Sequence, residues 1–513
     1  MHIRDDWCSH SRAFASPAVD RPQRIPVTKY PDWLAHRAAT TPQKVALVAG
    51  ERTWTFAALD ADATRLARRL SALGVRADDR VACLLHNGAA PAILVHAVLR
   101  LGATLVPLNT RLTESEIAWQ LGDAKPRLLV VEPRTAPLAH EASWEHDGLE
   151  LVLATDLLAA THDDAAPPFS PRLTHDAAHV LAIIYTSGTT GRPKGAMLTV
   201  GNFWWSATGS ALNLGVHDDD RWLAVLPLFH VGGLSILVRS VIYGMTAVVH
   251  DGFDAEAVNR AIDREGVSIV SVVAVTLQRV LDARGDMPMP PTLRCMLLGG
   301  GPAPQPLLER CALLGVPVVQ TYGLTETTSQ LATLAPTDAL RKLGSAGRAL
   351  YPNAVRIADD GEILARGPVV MAGYAGRADE TARAIVDGWL HTGDVGRLDD
   401  EGFLYVLDRR DDLVITGGEN VYPAEVEAAL LAHPSVVEAG VIGLPDAQWG
   451  QRVVAVVRYA EADGPSEETL RAWCRARLAA YKSPSQVVVV TEPLPRTASG
   501  KLKRSALRGM LVN

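Results

Sequence analysis

The sequence predicts an α/β protein in which a large multi-sheet N-terminal domain precedes a small α+β C-terminal domain, and three observations carry this. From Thr53 onward short apolar runs alternate with amphipathic stretches, the pattern of strands separated by helices and so of parallel sheets built from βαβ units. A chain of 513 residues exceeds what one hydrophobic core organises. Near Asp408 to Asp412 the run Asp-Arg-Arg-Asp-Asp interrupts the apolar pattern and marks a boundary. The expected division is a poorly ordered leader at 1–25, an N-terminal ligand-binding domain at 26–410 and a C-terminal domain at 411–513.

The elements follow in order. Residues 57–73 have helical apolar spacing and stop at Gly74; 81–85 read as a strand; 90–101 read as a helix stopping at Gly102. Thr113 and Glu116 form a capping box ahead of another helix, and 128–131 is strand-like. Residues 159–171, rich in Ala, Asp and Pro, read as a connecting loop before the apolar strand 180–184. Beyond the boundary, 423–431 opens with Pro and Glu as a helix, 436–442 and 453–457 read as strands, and Ser466 opens a helix through Ala480.

Composition excludes several classes. Hydrophobic content of 48% with 21% charged residues is that of a folded soluble protein, and a net charge of -7 offers no basic face for nucleic acid. Five scattered cysteines without a CxxC pair read as reduced thiols in a cytoplasmic protein. The N-terminus has no signal-peptide core, and 223–249 is interrupted by His230, Arg239 and glycines, so no membrane span is expected.

The segment Tyr-Thr-Ser-Gly-Thr-Thr-Gly-Arg-Pro-Lys-Gly, Tyr185 to Gly195, leaves the strand at 180–184 with three glycines, four aliphatic hydroxyls and a lysine. Glycine allows close backbone approach, hydroxyls donate to oxyanions and Lys194 adds a compact positive charge, so the segment suits a phosphate. It is not a Walker A loop, which requires Ser or Thr where Gly195 stands. Gln320 to Ser329 gathers hydroxyls around one carboxylate, Glu326, which suits Mg²⁺ held beside phosphates or, more plainly, a hydrated helix cap. Asp394 follows a Thr-Gly turn, either as an ordinary turn aspartate or as an acceptor for ribose hydroxyls. Lys501 lies in a polar loop near the C-terminus and draws weight only from these companions.

Together these segments resemble the adenylate-forming superfamily of acyl-CoA synthetases, luciferases and peptide-synthetase adenylation domains, from about Tyr30 to the C-terminus. The resemblance implies a large N-terminal domain hinged to a small mobile C-terminal domain that rotates between two half-reactions. It implies ATP, Mg²⁺ and CoA as partners of a small carboxylic acid. On this chain Thr186, Ser187, Gly188, Thr189, Thr190 and Lys194 would hold the β- and γ-phosphates, and Glu326 the metal. Thr325 would contact the α-phosphate, while Asp394 and Arg409 would contact the ribose. Gly299, Gly300 and Gly301 would lie along adenine and the acyl group, with Tyr322 and Gly323 adjoining. Lys501 would bridge the reacting carboxylate and the α-phosphate, and Asp411 would be the hinge. After rotation Gly417, Gly418 and Glu419 would face the thiol tunnel, with His230 as its gate unless it is a satisfied core histidine.

A narrower resemblance, over Gly201 to Gly215, Pro227 to His230, Leu234 to Gly244, Leu297 to Pro304 and Gln320 to Gln330, points to the branch of this family that activates o-succinylbenzoate for menaquinone biosynthesis. Aryl- or fatty-acyl-CoA ligases of other specificity remain the alternative, followed by carrier-loading enzymes. Asn202, Gly299 and Arg239 are the acyl-pocket candidates. Arg239, the only formal charge between Trp222 and His250, either pairs with the second carboxylate of such an acid or snorkels from its helix to solvent. A homo-oligomer is compatible with this reading.

Overall fold

A computed structural model describes residues 28–144, 146, 148–159, 169–186, 192–300, 305–409, 413–459, 464–495, 502 and 504–511. The leader at 1–25 lies outside them. Two mainly parallel sheets dominate. The first runs in the order Lys194–Thr199, Val180–Thr186, Thr104–Pro107, Arg80–Leu84, Leu128–Val131, Glu150–Leu153, and only its first pair is antiparallel. The second has nine strands, parallel from Val45–Ala49 to Val318–Tyr322 with antiparallel strands added at both edges.

Alternation along each strand builds the layers. In Arg80–Leu84, Val81 and Cys83 join a core shared with the second sheet, while Ala82 and Leu84 face an outer layer with the helix Glu114–Ala124. In the second sheet Trp222 and Ala224 point into the shared core, and Leu223 packs outward with Val258, Leu277 and Leu308. The helices Ala89–Leu101 and Val231–Tyr243 contribute most of their residues to the shared core, which accounts for their nearly continuous apolar sequence. The chain therefore stacks as helix, sheet, helix, sheet, helix.

That central layer also buries charge. Arg100 is 1% exposed and meets Asp32 at 3.2 Å and Asp60; Asp32 accepts from Ala35 N–H at 2.8 Å and contacts His175 at 3.2 Å. Paired this way, the Asp32 carboxyl is held well below its ordinary range despite burial. His96, one helical turn before Arg100, is pushed down to about 4 by burial. Cys83, Cys295, Cys311 and Cys474 are buried free thiols, and burial raises them out of the nucleophilic range.

An antiparallel sheet of Ala354–Ile357, Glu362–Arg366, Trp389–Leu398, Ile385–Val386 and Leu404–Arg409 follows. The C-terminal domain holds a sheet ordered Glu419–Val421, Val414–Thr416, Gly450–Tyr459, Val436–Asp446, with Gln486–Val489 parallel to Gly450–Tyr459. Helix Pro423–Leu431 forms as expected, whereas the strands expected at 436–442 and 453–457 pair with each other beyond their apolar runs. The helix expected to reach Ala480 ends at Arg475. Arg477 and Leu478 turn back on Cys474, and the Ala479 N–H bonds to the Glu116 carboxylate, not to a carbonyl of its own helix.

Candidate active site

The phosphate segment spans a β-hairpin. Thr186 ends one strand and Lys194 opens its antiparallel neighbour, directly opposite in register. Lys194, expected in the loop, is thus anchored in a strand, and Ser187, Gly188, Thr189 and Thr190 lie outside the described residues. The free edge of Lys194–Thr199 is taken by residues 371–375: Ala372 N–H donates to Met197 O at 3.0 Å and Ala375 N–H to Gly195 O at 2.8 Å. This edge pairing delivers Tyr374, whose hydroxyl donates to Glu326 Oε1 at 2.9 Å. Thr186 Oγ1 donates to the same oxygen at 3.4 Å. Burial, with the Glu326 carboxylate beside it, pushes the Tyr374 hydroxyl far up, so it remains a donor. Lys194 Nζ lies 5.3 Å from the Tyr374 ring centre and 3.0 Å from Glu380 Oε2.

Glu326 sits in the 3₁₀ turn Thr325–Thr327, in a loop that doubles back on Gly323. Thr328 and Ser329 take positive φ values of 51° and 83°, and a Cβ on Gly323 would stand 1.5 Å from Ser329 O. Tyr322, the residue before, donates its hydroxyl to Asp394 Oδ2 at 2.7 Å. The turn expected at Asp394 is instead a bulge within the strand Trp389–Leu398. Buried Glu362 holds this bulge by accepting from Gly393 N–H and contacting His391 Nδ1, both at 2.8 Å. Asp394 is 3% exposed and faces Arg409 across the ladder.

Gly299 packs on Thr321, and Gly300, at φ 79°, packs on Val273: a Cβ there would stand 2.9 Å from Val273 Cγ1. The other methyl of Val273 meets the C-terminal domain, 3.2 Å from where a Gly418 Cβ would lie. Gly417 donates its N–H to Trp449 O at 2.8 Å, and both glycines have positive φ. Glu419, 4% exposed, then crosses to the N-terminal domain, meeting Arg111 at 2.6 Å and His230 Nε2 at 3.1 Å. These two neighbours hold its carboxyl below the usual range against burial. His230 caps the helix Val231–Tyr243 with a side chain 41% exposed, which sets aside the buried-core alternative.

The acyl-pocket candidates part company. The Asn202 side chain is engaged within the protein: its Oδ1 accepts Thr199 N–H at 2.8 Å in a capping box, and its Nδ2 donates to Pro368 O and Val370 O at 2.8 and 2.9 Å. Arg239 does not snorkel, because its helix lies between the two sheets; it is 2% exposed. One of its terminal nitrogens donates to Ser206 Oγ at 2.8 Å, Ser206 donates to Thr328 O at 2.7 Å, and Arg239 Nε has no partner among the described residues. Among the described residues no carboxylate pairs with Arg239, and burial lowers its pKa.

Gly301, Asp411 and Lys501 lie outside the described residues. Tyr374, Glu380, Glu362, Arg111 and Ser206 escaped the sequence reading; the Gly-Tyr pair closing the apolar run before Tyr374 is the sole local signal among them. Among the described residues no cluster of three or more His, Cys, Asp or Glu forms a cage, so a metal here relies on one carboxylate plus substrate oxygens, and half-buried Glu326 with its hydroxyl neighbours fits Mg²⁺.

Two stacked α/β sheets, a hairpin whose Thr186 faces the Glu326 carboxylate, and a small domain closing over them define an adenylate-forming fold. The chain belongs to the AMP-binding enzyme family, which matches residues 34–375, with the AMP-binding enzyme C-terminal domain matching 425–501. It is 50% identical over 494 residues to the 2-succinylbenzoate--CoA ligase of Geobacillus kaustophilus, covering 94% of this chain and 99% of that one. It resembles the o-succinylbenzoate CoA synthetase of Bacillus subtilis, as a double mutant bound with its product analogue OSB-NCoA, at 43% identity and TM-score 0.89 over 94% of this chain and 99% of the other. Against the same synthetase in complex with the acyl-adenylate intermediate OSB-AMP the TM-score is 0.72, at 43% identity over 95% and 99%.

Proposed function

We propose that the chain joins 2-succinylbenzoate to CoA with ATP through an acyl adenylate, releasing pyrophosphate and then AMP, in the service of menaquinone biosynthesis. A carboxylate oxygen is a poor leaving group. Attack of the acid on the α-phosphorus expels pyrophosphate and makes the acyl carbon reactive; the CoA thiol then attacks that carbon and expels AMP. Similarity over nearly the full length to ligases of this acid supports the substrate, as does Arg239, a buried cation with no carboxylate partner among the described residues and tied through Ser206 to the loop that carries Glu326. In this reading Arg239 receives the aromatic carboxylate that is not activated.

Residue roles follow the same reading. Thr186, the segment 187–190 and Lys194 grip the β- and γ-phosphates, so Glu380 must release Lys194 when ATP enters. Glu326 would hold Mg²⁺, which offsets phosphate charge when bound. Thr325 serves the α-phosphate, Asp394 and Arg409 the ribose, Gly299 to Gly301 and Tyr322 the adenine and acyl group, and Lys501 the crowded negative charge of the attack. Asp411 is the hinge, between domains at 26–410 and 411–513. The observation that carries the second step is Glu419 meeting His230 and Arg111 across the domain boundary, in a chain that as a whole superposes better on the product-analogue complex, at TM-score 0.89, than on the adenylate complex, at 0.72. ATP and CoA as co-substrates support a cytoplasmic site of action.

The test separates the half-reactions. Lys501→Ala should lose on the order of 10² to 10³ in pyrophosphate release with 2-succinylbenzoate, yet still convert supplied acyl adenylate to thioester. Equal loss in both would sink the assignment, and absence of pyrophosphate release by the unaltered chain would sink the substrate.

A further inference from the structure

Helix Glu114–Ala124 begins with a capping box, in which Glu116 Oε2 accepts from Thr113 N–H and from Thr113 Oγ1, both at 2.8 Å. That device is local and needs only residues 113–116. The same carboxylate also accepts the Ala479 N–H at 3.0 Å and binds Lys482 Nζ, groups of the C-terminal domain. Around it Tyr481 OH stands 3.5 Å from Asn109 Nδ2, and Thr113 Oγ1 stands 3.5 Å from Arg477 O, so residues 109–116 seat residues 477–482. Lys482 is 2% exposed and has a second carboxylate, Glu425 of its own domain, at 2.8 Å.

We infer that Glu116 and Lys482 form a latch holding the C-terminal domain in its thioester-forming orientation, and that both are positioning residues for the second half-reaction. The inference rests on the two-step reading above. Its physical merit is reversibility. A buried ion pair broken by losing one partner ordinarily leaves an uncompensated charge. Here each partner keeps a companion at home when the domain rotates: Glu116 retains Thr113, and Lys482 retains Glu425. Release exchanges the contacts of Glu116 with Ala479 N–H and Lys482 for water and leaves neither charged group without a partner. The crossing of Glu419 to Arg111 and His230 runs the opposite way, from the C-terminal domain inward, so the two domains grip each other reciprocally.

Glu116→Gln tests the latch cleanly, because Gln also serves at this position of a capping box while the charge facing Lys482 is gone. Thioester formation from supplied acyl adenylate should fall roughly tenfold, while pyrophosphate release without CoA stays within about twofold and the melting temperature is unchanged. Lys482→Gln should show the same split, and the double variant should be no slower than the worse single variant, which a merely structural role does not give. Normal pyrophosphate release with undiminished thioester formation overturns the latch alone, as does an equal fall in both steps. If the unaltered chain releases no pyrophosphate, the functional reading falls and takes the latch with it.

Discussion

Replacing Gly323 with Ala tests how tightly the loop bearing Glu326 is folded. The added Cβ would stand 1.5 Å from Ser329 O and 2.6 Å from Ser329 C, both backbone atoms that no rotamer change relieves. Ordinary contact begins at 3.4 Å, so the two segments must separate by 3.4 − 1.5 = 1.9 Å. Thr325 and Glu326 ride on the displaced segment, and misplacing a positioning group by about 1 Å costs on the order of 10² in rate. Overpacking adds about 1–3 kcal/mol of destabilisation, which lowers the melting temperature by a few degrees without unfolding the chain. Gly323→Ala should therefore lose on the order of 10² or more in pyrophosphate release at saturating ATP and acid while remaining folded by circular dichroism. Gly252→Ala, whose Cβ would meet nothing within 4 Å, is the matched control. A Gly323→Ala enzyme with more than about half of the control's rate would refute the claim that this close approach fixes Glu326.

Arg239→Leu should raise the KM for 2-succinylbenzoate roughly ten- to hundredfold, the worth of a charge-assisted hydrogen bond, while sparing the KM for ATP. An unchanged KM for the acid would dismiss Arg239 as its receptor. His96 is neutral in the fold and protonated in the unfolded chain between about pH 4 and 6.5, so its contribution is full above pH 6.5 and declines as the pH falls toward 4. The wild type should lose about 2 kcal/mol more than His96→Met between pH 7 and pH 5 in urea unfolding, other groups titrating alike in both proteins. Equal losses would mean that His96 is not buried neutral.

Signals were legible where chemistry and covalent neighbours coincide. The hairpin hydroxyls with Lys194, the Thr113 and Glu116 box, and the βαβ alternation are each written in a few consecutive residues. What escaped depends on distant partners. Tyr374 reaches Glu326 only because residues 371–375 close an otherwise bare strand edge, and Asp394 sits in a bulge because Glu362 reaches it from a neighbouring strand. Arg239 left two readings open, a carboxylate partner or snorkelling, because a single cation in an apolar helix does not show that a second sheet covers it. Asn202 has partners of both kinds: Thr199 is three residues away, in a capping box that an Asn in the place of Glu or Gln disguised, while Pro368 and Val370 are distant in sequence.

Val273 gives one methyl to Gly300, proposed above to lie along adenine, and the other to Gly418 of the C-terminal domain, proposed above to rotate. In the proposed cycle one isopropyl group is therefore party to two different events. A larger side chain at 273 would press on Gly300 and Gly418 at once, and a smaller one would loosen both. Nucleotide fit and domain closure are thus not separately tunable at this position: selection or engineering that alters one inherits a change in the other.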